Sequence, residues 1–528
     1  MFDLIIQQAQ VIDGSGRAGY IGDVAVKNGL IAAIDAHIPA ADRPCIDGRG
    51  LALAPGFIDM HCHTDTYHLT EPLADIKVRQ GVCLDVVGNC AMSVVPTDPQ
   101  TAAQLSDQRE FTRRCPQART VADYAAAIDQ AQPAMRVMTH VGHAALRVQA
   151  MGHAARPPAA DELGRMQRAL TAALEQGAAG LSTGLYYPPS GFAQDAELIA
   201  LAKITSRFDR FHASHIRNEA IGLLDSLREV IRIGRAADAA THISHLKAAG
   251  RGNWQHTEAA VALIEAARRQ GLDVTCDVYP YDRSSTSLTV LIPPWAQEGG
   301  IGEMSARLRH TEQRRRIITQ MRDGLPGWEN SYHNAGFTGI TISAVKTAAN
   351  RHLIGQTVDQ AAAAAAQDPF AWVCDLIAAE AGEVSIIIAS MHEADVARFI
   401  SLPFAMIGSD GSPTDGTPHP RLYGTFPRVI RRFVRELKSM TLETAVAKMT
   451  DLPARRLGLK NHGAIRTGCR ADLVLFDPER FADTATYAAP RSFPTGLQAV
   501  IIDGQIVLAN GQRTAARPGG FVCAPTRS

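Results

Sequence analysis

Residues 55–65 read PGFIDMHCHTD, and the fold turns on them. Leu51 to Met60 is an apolar strand interrupted by Pro55-Gly56, and it ends in His61, Cys62 and His63. On an extended strand alternate side chains share a face, so His61 and His63 project together and Cys62 faces away, into packing. Imidazole is the commonest ligand of catalytic metals, and two of them at the polar end of a buried strand make half a metal site.

The chain around this strand is a 528-residue polypeptide, too long for one compact core. Lys+Arg and Asp+Glu both total 53, which gives no electrostatic reason to expect nucleic acid or an anionic membrane as partner. The opening MFDLIIQQAQVIDGSG has no basic run and no long apolar stretch, so no secretory signal is expected. No window is apolar for the length of a membrane span. The nine cysteines are scattered without a CxxC, as in reduced thiols of a cytoplasmic protein. The expected location is therefore the cytoplasm, and oligomeric state is left open.

Both ends of the chain read as short strands. Leu4-Ile5-Ile6, Val24-Ala25-Val26 and Leu30-Ile31 at one end match Leu473-Val474-Leu475 and Val500-Ile501-Ile502 at the other. Asn28-Gly29, Asp503-Gly504 and Asn510-Gly511 supply turns. Residues 1–54 and 465–528 are expected to form one small β-sandwich. Between them helix and strand alternate, which implies parallel strands with crossover helices. A distorted (β/α)8 barrel over 55–464 is the expected α/β architecture, with active residues at the C-terminal strand ends. The alternative, a doubly wound sheet, lacks a GxGxxG after any strand. Residues 293–345, rich in Arg, Glu and Gln, read as an insertion: a lid over the barrel mouth or a solvated excursion.

Five stretches bring chemistry to successive strand ends. They are His61 and His63; Cys90 in Gly88-Asn89-Cys90; His215 in Ser214-His215-Ile216-Arg217; His245 in Ser244-His245-Leu246-Lys247; and Asp410 in Gly408-Ser409-Asp410-Gly411. Four imidazoles, one thiolate and one carboxylate suit one or two divalent ions, zinc above all, and a thiolate can bridge two. Asp410 can both ligate and act as general base toward water.

In this order PGFIDMHCH, GNCAMS, GHAALR, GLSTGLYYPPS, ASHIRNE, ISHLKAAG, DVYPYDRSSTSL, IGSDG, PHPRLYGTFPR and ADLVLFDP run through nearly the whole chain. The set resembles the amidohydrolase superfamily and, within it, the N-acyl-D-amino-acid deacylases (D-aminoacylases). The resemblance implies zinc-dependent hydrolysis of a linear N-acyl-D-amino acid, a small-molecule substrate. It implies that Cys90, His215 and His245 hold a tight zinc, and that His61, His63, Cys90 and Asp410 form a second site, weakly filled or empty. It further implies that Asp410 shuttles a proton from water to the leaving amine. Arg421 and Lys247 would meet the substrate carboxylate with Tyr279 and Ser285 nearby, and Tyr187 would sit at the mouth or polarise the scissile carbonyl. A guanidinium also suits bidentate carboxylate recognition on chemical grounds.

The chain departs from that pattern at Ala91, where relatives often carry glycine, and at Arg283, where they often carry a small residue. Arg283 either lines the substrate side-chain pocket, favouring acidic substrates, or pairs locally with Asp282. Asp65 orients a ligand histidine or caps a turn, His143 bonds substrate or a ligand, and His419 supports Arg421. Two competing readings are a dihydropyrimidinase-like cyclic-amide hydrolase, which needs a carbamylated lysine for which no candidate is present, and a non-catalytic scaffold, which predicts missing ligands.

Overall fold

The computed structural model describes residues 1–39 and 43–525. Residues 40–42 and 526–528, within the stretches assigned to the small β domain, lie outside the described residues. Eight parallel strands form the barrel. In chain order they are β1 Phe57–Asp59, β2 Val82–Val87, β3 Arg136–Thr139, β4 Gly180–Gly184, β5 Phe211–His215, β6 Ala240–Ile243, β7 Val274–Val278 and β8 Ala405–Ile407. Strands β1 to β3 pair in parallel, as do β4 to β8. The ring closes where Met60 N–H donates to Ile407 O and Asp410 N–H donates to His61 O at 2.6 Å. His140 interrupts β3, and only its continuation, Val141–Gly142, pairs with β4.

That break leaves a gap at the lower end, and the C-terminal tail fills it. Gly520–Phe521 pairs in parallel with Arg136 and Val137. Val522 N–H donates to Val137 O on one side, and Ala524 N–H donates to Gly177 O on the other. The last described residues thus belong to the barrel wall, where the sequence reading put them in the β domain. Unsatisfied backbone on both flanking strands is what the tail repairs.

The remaining terminal strands form a nine-stranded sheet joining both ends of the chain. Its turns are the expected ones: Asn28-Gly29, Asp503-Gly504 and Asn510-Gly511 all adopt positive φ. Side chains alternate with period two. Leu4, Ile6, Val24, Leu473, Leu475 and Ile501 share one core inside the β domain. Val474, Phe476, Val500 and Ile502 point the other way, into the core of the barrel's outer layer. The expected small β domain on a distorted (β/α)8 barrel is what the chain forms.

The excursion between β7 and β8 is larger than 293–345. Its sheet runs Arg283–Ser287, Val384–Ala389, Ile340–Val345, antiparallel throughout. Five helices between Ile301 and Ala379 pack on it around a core including Leu288, Met304, Ile317, Phe370 and Ile386. It is a folded unit spanning 283–389 that roofs the barrel mouth, and the polar composition of 293–345 reflects only the exposed helices. No helix among the described residues is long and apolar enough to cross a membrane.

Beneath the mouth lies a sealed charge cluster. Asp59, Cys62 and Asp85 are close enough to hold a metal. Lys77 supplies the positive charge instead, its Nζ 2.5 Å from Asp59 and 3.3 Å from Asp85, all three side chains fully buried. Asp59 also accepts from Ser409 N–H at 2.7 Å, tying β1 to the loop after β8. Removing one partner from such a group strands an uncompensated buried charge. Lys77→Met should therefore cost about 3–5 kcal/mol, read as a lower urea midpoint, and an unchanged midpoint would contradict this role.

Candidate metal centre

The six predicted donors converge at the C-terminal end of the barrel. Cys90 Sγ is the common vertex, 3.2 Å from His61 Nε2, 3.3 Å from His245 Nε2 and 3.6 Å from His215 Nδ1. Asp410 Oδ1 lies 3.2 Å from His63 Nε2 and 3.7 Å from His61 Nε2. Donors around a tetrahedral zinc with ordinary bond lengths sit about 3.3–3.6 Å apart. The donor chemistry fits zinc, and two close donor groups, His61 with Cys90 and His245, and His61 with His63 and Asp410, overlap at His61.

The backbone is strained where it presents these donors. Cys90, His245 and Asp410 have φ of +52°, +34° and +49°. Non-glycine residues reach that region at a cost, and the strain persists only where the surroundings hold it. Here the Asp277 carboxylate accepts from His245 N–H at 3.0 Å, and His61 O accepts from Asp410 N–H. Ala91, at φ +69°, continues the left-handed turn begun at Cys90. That geometry explains why glycine suits this position and alanine carries strain there.

Electrostatics favours an ionised thiol. Burial pushes the Cys90 thiol up, but His61 and His245 outweigh it and hold it well below the ordinary range. Burial likewise raises the Asp410 carboxyl, and Arg421 together with His63, His245 and His61 more than reverses that. Arg421 Nη1 is 2.8 Å from Asp410 Oδ2.

The other predicted residues line the same cavity of about 950 Å³. Tyr279 is flanked by two cations, with Arg421 Cζ 4.7 Å and Lys247 Nζ 5.6 Å from its ring centroid. Ser285 O accepts from Arg421 Nη2 at 3.3 Å. Tyr187 packs its ring 4.9 Å from that of His215, and its hydroxyl meets Thr286 Oγ1 at 3.1 Å. His419 Nδ1 accepts from Arg421 N–H at 3.0 Å, so it does brace Arg421.

Some readings fall elsewhere. His143 is buried between Ser190 and Glu197, 2.8 and 2.9 Å away, in a closed cluster with Arg147. Arg283 stacks over Tyr487 at 4.2 Å, is absent from the cavity lining, and is paired with Tyr487 where Asp282 was expected. Asp282 itself accepts from the Tyr487 hydroxyl. Asp65 Oδ1 accepts from Gly88 N–H at 2.9 Å, fixing the turn that leads to Cys90.

Three acids at the site carry no assignment from sequence. Asp277 Oδ2 lies 3.3 Å from His61 Nδ1 and 2.9 Å from His242 Nε2. Glu219 Oε1 lies 3.0 Å from His245 Nδ1 and 2.6 Å from Lys247 Nζ. Burial raises Glu219, yet Lys247 together with His215 and His245 holds it down to about 2. Each of these carboxylates grips the ring nitrogen that a metal would leave free, which fixes tautomer and orientation. Glu329, from the excursion, accepts from Glu219 N–H at 2.5 Å. Glu219 stands four residues after His215 and Asp277 ends a barrel strand, so both had a positional signal; Glu329 had none.

The sequence profile of the Amidohydrolase family matches residues 45–508. An N-acyl-D-glutamate deacylase of Alcaligenes xylosoxydans xylosoxydans is 37% identical, covering 98% of this chain and 96% of its own. A D-aminoacylase of the same organism is 35% identical over 95% and 94%. The solved N-acyl-D-glutamate deacylase of Bordetella bronchiseptica, in complex with zinc and a phosphonate mimic of the tetrahedral intermediate, superposes with a TM-score of 0.83 at 36% identity, covering 99% and 100%. A solved D-aminoacylase, described by one-metal activation and second-metal attenuation at a binuclear centre, gives 0.83 at 32% over the same shares. A dihydropyrimidinase of Brevibacillus agri, 14% identical with a TM-score of 0.57, shares the fold alone. The chain is a metal-dependent member of the amidohydrolase family. Within that family it belongs with the N-acyl-D-amino-acid deacylases.

Because partners of this kind typically carry 10–100-fold in metal affinity, Asp277→Asn should weaken zinc binding by about that factor. Chelator competition measures it, and an unaltered affinity would remove Asp277 from the centre.

Proposed function

We propose that this chain hydrolyses the linear amide of N-acyl-D-amino acids, releasing a carboxylate and a free D-amino acid. The observation that carries it is Asp410, which touches the donor cluster through His63 and Arg421 through its other oxygen. One residue thus stands between the metal position and a cation suited to a substrate carboxylate. Cys90, His215 and His245 would hold the tight zinc; His61, His63, Cys90 and Asp410 would form the weaker second site, weaker because Arg421 already competes for Asp410. Bound zinc supplies Lewis acidity, polarising the scissile carbonyl and making an attacking water more acidic.

The chain's own residues do the rest. Arg421 is buried, and although Nη1 pairs with Asp410, neither Nη1 nor Nε makes a directional hydrogen bond. A buried guanidinium with an unpartnered Nε–H and an Nη1 held only by an ion pair, at a cavity wall, suits an incoming anion. A substrate carboxylate seated there, with Lys247, Tyr279 and Ser285 around it, fixes the amino-acid end. The arriving anion competes with Asp410 for Arg421 and loosens that pair. Asp410 takes the proton of the attacking water and delivers it to the departing nitrogen, without which an amine is a poor leaving group. Tyr187, against His215, closes the side of the cavity toward the acyl carbonyl. D-selectivity rests on the likeness to the deacylases.

The cyclic-amide reading requires a lysine at the bridging position, where the present proposal puts Cys90. Asp410→Asn should lower kcat by about 10²–10⁴-fold in an amine-release assay, with zinc content measured alongside. Full turnover in that variant would contradict the proton role. Arg421→Lys should raise KM more than it lowers kcat, since an ammonium cannot make the bidentate contact.

A further inference from the structure

Resting on that reading, we infer that the acyl end of the site is built for apolar acyl groups several carbons longer than acetyl. The barrel's own order sets the direction. Tyr279 and Ser285 follow β7 and Arg421 follows β8, so the carboxylate end lies on that side. In an eight-stranded ring β3 and β4 stand opposite β7 and β8, with the metal donors between. A linear substrate anchored at Arg421 and cut at the centre must send its acyl group toward β3 and β4.

The cavity continues there. Met92, Leu105, Ala144, Pro188, Val290 and Pro294 are among the cavity's lining residues, interleaved with the polar Ser106, Asp107, Thr289 and Gln297. Ala144, after β3, donates its N–H to Ala91 O at 3.0 Å, which sets it one residue from Cys90. Pro188, after β4, adjoins Tyr187, whose ring rests on His215. The roof is the start of the excursion. Val290 and Pro294 are carried across from β7 and anchored on the far side, where Gly299 N–H donates to His153 O at 3.2 Å and Glu298 accepts from Ala155 N–H at 3.1 Å. The cavity of about 950 Å³ takes the whole substrate, and an acetyl group would leave the apolar residues at its acyl end wet. A longer acyl chain would dry them, and each buried methylene is worth roughly a fourfold gain in binding.

The test compares N-acetyl, N-butanoyl, N-hexanoyl and N-octanoyl derivatives of one D-amino acid on the zinc-loaded enzyme. The amino acid is whichever of D-glutamate and D-leucine is released faster from its N-acetyl form. The expected result is a kcat/KM that climbs about two- to fourfold per added methylene through hexanoyl. Leu105→Asn should lower the hexanoyl-to-acetyl ratio at least fivefold, as should Ala144→Leu, which fills the space next to Cys90. A flat or falling profile in the wild type overturns the inference while leaving the deacylase reading intact. A rising profile whose ratio neither variant changes overturns the placement of the subsite. Failure to release amine from every N-acyl-D-amino acid sinks the deacylase reading, and this inference with it.

Discussion

A single sulfur atom organises this molecule. The Cys90 thiol is within 3.2–3.6 Å of three imidazole nitrogens from β1, β5 and β6. These groups are separated by up to 184 residues and meet because the barrel brings its strand ends to one rim. At these distances they perturb one another: burial raises the Cys90 thiol, and the neighbouring His61, His245 and His215 hold it well below its ordinary range. The left-handed backbone at Cys90, His245 and Asp410 is the local cost of aiming donors inward. The hydrogen bonds that His245 N–H and Asp410 N–H donate to Asp277 and His61 O hold that strain in place.

Around this vertex, charges alternate in sign from the donors outward. His245 is backed by Glu219, and Glu219 by Lys247. His63 meets Asp410, and Asp410 meets Arg421. Below, Asp59 and Asp85 close on Lys77. Each buried charge has an opposite neighbour, the condition under which ionised groups survive away from water. Two of the outer cations, Lys247 and Arg421, face the cavity on either side of Tyr279. Architecture that stabilises the donors thereby also presents a receptor for a substrate anion.

Much of this was legible in the sequence because it rests on short periodicities. The His-x-His spacing on an apolar strand, the two Ser-His strand ends and the Asn-Gly turns are local signals with local causes. The six donors and the barrel followed from them. What was not legible depends on distance. Glu219 and Asp277 are ordinary acids until the fold places them behind His245 and His61. The tail at 519–525 looks like any strand end, and only the break at His140 gives it a slot in the barrel. The excursion was drawn too short because its edges, Arg283–Ser287 and Val384–Ala389, are strands that pair with each other across about a hundred residues. Arg283 was misread because its partner, Tyr487, comes from the far end of the chain.

The central claim is that a cysteine sulfur binds the catalytic metal. X-ray absorption at the zinc edge of the metal-loaded enzyme tests it most directly. The account predicts one sulfur neighbour at about 2.3 Å together with nitrogen or oxygen neighbours at about 2.0–2.1 Å. A shell of nitrogen and oxygen alone, with no sulfur, would contradict it.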